Sequence, residues 1–163
     1  MKNGGKSEQF SQRLIHQPKW HNLMPEQQYL VLTYRVLIQS ELTIHQGLLL
    51  TDQGQVYESG FKKSDISFFT VKLLDERGLI DRSTFEFLRD DQSCSFKLLK
   101  LIDEMTDTEK RYSKYRHTRE PELFFEGKGY YIARNWGVSN TPGFIKKMES
   151  KFSTLEYSLA LLI

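Results

Sequence analysis

The sequence predicts an α+β domain, with helices toward the N-terminus and a C-terminal β-hairpin–helix–strand unit. Three observations predict it. Residues 64–77 carry an amphipathic pattern with stop signals at both ends. Two aromatic, β-prone runs, Leu123-Phe124-Phe125 and Tyr130-Tyr131-Ile132-Ala133, flank Glu126-Gly127-Lys128-Gly129, as in a hairpin. The run Leu159-Ala160-Leu161-Leu162-Ile163 is too apolar for a free tail and suits a buried strand or a helix docked on that hairpin.

Residues 1–24 read as a flexible segment, frayed over 1–8, with a short helix over 9–24 broken at Pro18-Lys19-Trp20. A single α+β domain is expected over 25–163, with sub-units at 25–105 and 118–163. Pro25 suits a first helical turn, so 25–39 is expected to be a largely buried helix, with a strand as the rival over 29–38. Residues 41–50 are ambiguous. Asp52-Gln53-Gly54-Gln55 is a turn, and irregular chain is expected to Lys63. Ser64 is placed to cap the next helix, Asp65 complements its dipole, and Ile66, Phe69 and Leu73 form its apolar stripe. Gly78 stands where a left-handed residue would close it. Thr84-Phe85-Glu86-Phe87-Leu88 alternates like a strand, whereas 94–105 fits strand and helix equally. Residues 108–117 read as a polar helix, and Phe144, Ile145, Met148 and Phe152 give helical spacing over 143–153.

With 39% apolar and 13% aromatic residues, the 163-residue chain is not of disordered composition. No run approaches the 18 uncharged apolar residues of a membrane span, and the first ten residues hold no apolar stretch typical of a secretory leader. One cysteine, Cys94, excludes an internal disulfide framework and a cysteine-rich zinc site. A cytoplasmic setting is expected.

Charge is uneven. Residues 1–108 carry 13 Lys+Arg and 15 Asp+Glu, a net of −2; residues 109–163 carry 10 and 6, a net of +4. Lys110, Arg111, Lys114, Arg116, His117 and Arg119 cluster there, with Tyr112 and Tyr115 interleaved. Cations mixed with aromatics can hold a phosphate backbone and stack on bases; a solvated helix face with inward tyrosines is the plainer alternative. On a helix, Lys110, Lys114 and His117 would share one face.

The order of a capped helix over 64–77, then Leu74-Asp75-Glu76-Arg77-Gly78-Leu79-Ile80, then a hairpin of Phe85 and Phe87 against Phe96 and Leu98, resembles the winged helix-turn-helix domain of prokaryotic DNA-binding proteins. The resemblance covers about a quarter of the chain, within residues 61–101. It implies a helix in the major groove of double-stranded DNA and a wing on the phosphate backbone. Lys62, Lys63, Ser67, Thr70 and Lys72 would then face DNA, with Arg82 and Arg89 on or near the wing. The segment 52–63 reads as loop where that family places a preceding helix.

Residues 134–143 form the most distinctive loop. Arg134, Asn135, Trp136 and Asn140 combine a cation, an indole and two amides before a helix start, a combination suited to binding, unless Trp136 plugs the core edge. Glu122, Glu126 and Lys128 resemble the Glu-x-Lys signature of metal-dependent nucleases, although Gly127-Lys128-Gly129 is better explained as a turn. His16 and His21 are misspaced for a helical metal pair, His45 and His117 are isolated, and Cys94 reads as a core thiol. No catalytic residue, metal or cofactor is assigned. The leading expectation is a non-enzymatic nucleic-acid-binding protein, regulatory or accessory to a mobile element. The alternatives are a protein-interaction module, such as an immunity or adaptor protein docking or dimerising through the apolar C-terminus, and a metal-dependent nuclease. No membrane partner is expected.

Overall fold

The computed structural model describes residues 14–19, 45–90, 92–137 and 139–162. It is α+β, with two small antiparallel sheets and helices, and it divides into two compact units. One joins residues 1–62 with 149–163; the other is the continuous stretch 63–148. The 25–39 helix and the frayed 1–8 segment lie outside the described residues. Among the described residues, no helix is long and apolar enough to cross a membrane.

The first unit contains a four-stranded sheet of β1 (Leu14–Lys19), β2 (His45–Asp52), β3 (Gln55–Phe61) and β7 (Leu155–Leu162), in the order β1-β7-β2-β3. The apolar C-terminal run is thus an interior strand, paired on both edges, which is the strand alternative of the sequence reading. Residues 14–19 are a strand, not part of a helix or a flexible segment. Pro18 is tolerated because β1 is an edge strand and its register breaks between His16 and Lys19, where no ladder bond from residue 18 is needed. The turn at Gln53-Gly54 holds both residues at positive φ, 52° and 77°, as a two-residue hairpin requires. The chain after it is β3, not loop. Its register shifts twice against β2, leaving Tyr57 and Gly60 as the extra residues, which is how Glu58, Ser59 and Gly60 are accommodated. Leu48, Leu49 and Leu50 are all buried, so both faces of β2 are shielded from solvent.

The second unit opens with a 3-10 turn over Lys63–Asp65, which leads into α1 (Ile66–Glu76). The N-cap is Asp65, without a side-chain cap bond, rather than Ser64. The C-terminal closure follows the sequence reading: Gly78 has φ 67°, its N–H donates to Asp75 O, and Leu79 N–H reaches Leu74 O. Next comes α2 (Arg82–Arg89), where the sequence suggests a strand. Asp81 decides the difference: its side chain accepts from Thr84 N–H at 2.8 Å and nucleates the turn. Thr84, Phe85 and Leu88 are then buried on one helical face. Accordingly, no hairpin forms between Phe85 or Phe87 and Phe96 or Leu98. Residues 94–105 are neither a long strand nor a long helix. They are bends, the two-residue β4 (Leu99–Lys100) and a 3-10 turn over Ile102–Glu104.

Helix α3 (Asp107–Arg111) is short. Thr106 and Glu109 cap each other reciprocally at its start. Strands β5 (Leu123–Phe125) and β6 (Lys128–Ile132) form the expected hairpin, with Glu126 and Gly127 at φ 49° and 77°. The sheet order is β4-β6-β5. Phe85 of α2 stacks on Phe125 at 4.1 Å and meets Tyr130 edge-on at 4.9 Å, fixing the helix to one face of the sheet. Met105, Tyr115 and Ala133 form a small cluster, with Phe96 and Tyr131 packed against it. Helix α4 (Thr141–Lys151) buries Phe144, Ile145 and Met148 in this unit.

Candidate nucleic-acid interface

The basic stretch after α3 does not continue as a helix. Tyr115 bridges Ala133 in antiparallel register, Arg116 N–H donates to Ile132 O at 3.0 Å, and Arg134 N–H donates to Lys114 O at 2.8 Å. Residues 114–116 therefore extend the hairpin along β6. Lys110, Lys114 and His117 do not form one helical face. In an extended segment successive side chains point to opposite sides, so Tyr115 is directed away from Lys114 and Arg116, and the two cations are told apart by their partners. Tyr115 turns inward, buried, and donates its hydroxyl to Lys97 O.

Arg116 is internal. Its guanidinium donates to Asp65 at 3.0 Å and to Glu122 at 3.1 Å, and lies 4.1 Å from the Phe68 ring. The second Glu122 oxygen is buried beside it, 3.1 Å from the same Nε, without a hydrogen bond. Two carboxylates and an aromatic face satisfy this cation, so it ties α1 to the sheet segment instead of meeting a ligand. Arg89 is held by Glu104 and sits 5.1 Å from the Tyr130 ring. Burial pushes the Glu104 carboxyl up, but the Arg89 hydrogen bond, the Leu101 N–H and the charges of Arg89 and Lys97 outweigh it and hold it below the ordinary glutamate value. Glu109 behaves alike: burial raises it, and Lys100, which grips both oxygens at 2.9 and 3.1 Å, together with Thr106, brings it down.

Lys114 and Arg134 are different. The Tyr115–Ala133 bridge sets them directly opposite each other across two antiparallel segments, on one side. Neither joins an ion pair among the described residues, and the same holds for Lys110 and Arg111. Like charges placed directly opposite on neighbouring strands repel, and an anion between them removes the penalty. Arg111 and Arg134 are exposed, Lys110 and Lys114 half-buried.

No protein-family model, curated protein or solved structure matches the chain.

The residues implied by the winged-helix resemblance are dispersed. Ser67 and Thr70 are fully buried: the Ser67 hydroxyl donates to Ala133 O and accepts from the Trp136 indole N–H at 2.8 Å, and Thr70 donates to Ile66 O. They cannot present to DNA. Lys72 is exposed and pairs with Glu76 at 3.9 Å. Arg82 is engaged by Glu126 and Glu86. Lys62 is exposed and Lys63 half-buried in the 3-10 turn, and Arg119 is exposed. In the loop before α4, Trp136 is buried against Phe144, 4.5 Å away, as a core plug. Asn140 accepts from Gly137 N–H at 2.7 Å and donates to Asn135 O, which closes the loop on itself. Arg134 and Asn135 remain exposed.

The nuclease-like residues do not share a face. Glu122 is bound to Arg116, and Glu126 is a turn residue paired with Arg82. Among the described residues, no group of three or more His, Cys, Asp or Glu is placed to hold a metal. Cys94 is buried, with its thiol 3.0 Å from Phe96 O. The opposition of Lys114 to Arg134 was beyond sequence reasoning: the two are twenty positions apart, and only the bridge register brings them together.

Proposed function

We propose that this protein binds nucleic acid without enzymatic activity, holding the phosphate backbone between Lys114 and Arg134 with Lys110 and Arg111 beside them. A regulatory or mobile-element accessory role in the cytoplasm fits that activity. The single observation that carries the reading is the directly opposed Lys114–Arg134 couple, which joins no ion pair among the described residues. Phosphate contacts supply sequence-independent affinity that falls steeply with salt. The burial of Ser67 and Thr70 withdraws the support that α1 offered for major-groove reading of double-stranded DNA.

Lys114→Glu is the decisive variant. It places a carboxylate opposite Arg134, an attractive cross-strand pair worth about 0.2–1 kcal/mol. The expected result is an equal or higher melting temperature together with loss of nucleic-acid binding and a shallower salt dependence. Undiminished binding would remove the couple as a phosphate site.

A protein-interaction module is the second reading, and one observation favours it. Phe124, at the middle of the edge strand β5, is 66% exposed. Docking through the C-terminus has less support, since both edges of β7 are already paired.

A further inference from the structure

Between Arg111 and Lys114 the chain displays Tyr112, which is 68% exposed. Of the two tyrosines interleaved with the cations, Tyr115 is spent on the core and Tyr112 is left on the surface. The turn that carries it is tightly fixed. Three successive N–H groups are engaged: Tyr112 with Thr108 O at 3.0 Å, Ser113 with Lys110 O at 3.2 Å and Lys114 with Glu109 O at 2.9 Å. Glu109 is itself anchored by Lys100. Ser113 adopts φ 48°, a left-handed conformation uncommon for a residue with a side chain. An exposed aromatic ring on a closed turn, flanked by cations on both sides in sequence, loses little freedom on binding.

We infer that the nucleic acid held here is single-stranded, with a base stacked on the Tyr112 ring while its phosphates engage Arg111, Lys114 and Arg134. This rests on the phosphate-binding reading above. In a duplex the base faces are stacked inside the helix and closed to a side chain; in a single strand they are free, and every base has one. Helices α1 and α2, the two that the winged-helix resemblance involves, present no free basic face to a major groove: α1 pairs its Lys72 with Glu76, and α2 pairs its Arg82 and Arg89 with carboxylates. The recognition is therefore of backbone charge and base face, with little dependence on sequence.

The test is equilibrium binding of the full chain to a thymidine oligonucleotide and to a mixed-sequence duplex of equal length, at several salt concentrations. The native protein is expected to prefer the single strand. Tyr112→Ala should weaken single-strand binding about 5- to 150-fold, the range of one base–aromatic stack, and leave the salt slope unchanged, since no phosphate contact is removed. Tyr112→Phe should retain the native affinity, because the ring and not the hydroxyl makes the contact. A duplex bound as tightly as the single strand, or an unaltered affinity in Tyr112→Ala, overturns the inference. If duplex binding is strong and Lys114→Glu abolishes it, the phosphate-binding reading survives that failure. If neither nucleic acid binds, both readings fall.

Discussion

Ser113 occupies, after α3, the position that Gly78 occupies after α1. Both end their helix in the left-handed region, at φ 48° and 67°, and both are followed by a residue whose N–H reaches back to the helix. For an L-residue with a side chain that conformation costs about 1–2 kcal/mol, and glycine avoids most of it. Ser113→Gly is expected to raise stability by about 0.5–1 kcal/mol, and Gly78→Ala to lower it by about 1 kcal/mol, both read from denaturant midpoints. A loss on Ser113→Gly would show that its side chain contributes more than its backbone costs.

Two other glycines should respond in opposite directions. A Cβ on Gly47 would come 2.5 Å from the carbonyl carbon of Gly60, a backbone atom that cannot step aside. Gly47→Ala should destabilise the protein by about 2–3 kcal/mol through overpacking. A Cβ on Gly143 meets nothing within 4 Å, and residue 143 lies in α4. Gly143→Ala should stabilise by about 0.5–1 kcal/mol from helix propensity alone. Equal effects from the two substitutions would contradict the packing described.

Ser67 separates a structural role from a DNA-contacting one. Its hydroxyl links Trp136 and Ala133, so Ser67→Ala leaves a buried indole N–H and a carbonyl without their partner. The expected cost is about 1–3 kcal/mol, with nucleic-acid affinity unchanged below the melting transition. A variant of native stability and weakened binding would restore Ser67 as a contact.

Acid should weaken the second unit through Glu104 and Glu109. Both carboxyls are depressed in the folded protein, so their stabilisation is complete above about pH 4.5, the ordinary glutamate value, and is lost as pH falls through the lower folded values. Glu104→Gln or Glu109→Gln should lower the melting temperature at neutral pH and flatten its decline in acid. An acid limb of native steepness in the double variant would exclude these two pairs as its source.

Sequence made some of this fold legible and not the rest, for local reasons. Glu126-Gly127 announces a hairpin and Gln53-Gly54 a turn, because two positive φ angles in succession demand such residues; that the second turn also joins two strands was not legible. Gly78 announces a helix end in the same way. Helix α2 is concealed because Thr84-Phe85-Glu86-Phe87-Leu88 alternates over five residues, too few to separate a period of 2 from 3.6, and the deciding signal was the Asp81 cap. Strand β1 is concealed by Pro18, which only an edge position allows. The basic cluster is visible as composition, but its division is not. That Arg116 is bound between Asp65 and Glu122 while Lys114 faces Arg134 depends on contacts fifty-one and twenty positions away.

The place of β7 in its sheet sets an order on biosynthesis. As the chain leaves the ribosome, β2 and β3 can zip into their hairpin at once, because two residues separate them. All of residues 63–148 then exist before residue 149 is added. β1, made before β2 and β3, lacks its partner until residues 155–162 are translated, since among the described residues β7 is the strand that bonds to it. A chain that ends before residue 155 therefore leaves β1 without its β7 partner and β2 with one flank open. Loss of those eight residues removes the pairing of strands encoded more than a hundred positions upstream, although no codon there has changed.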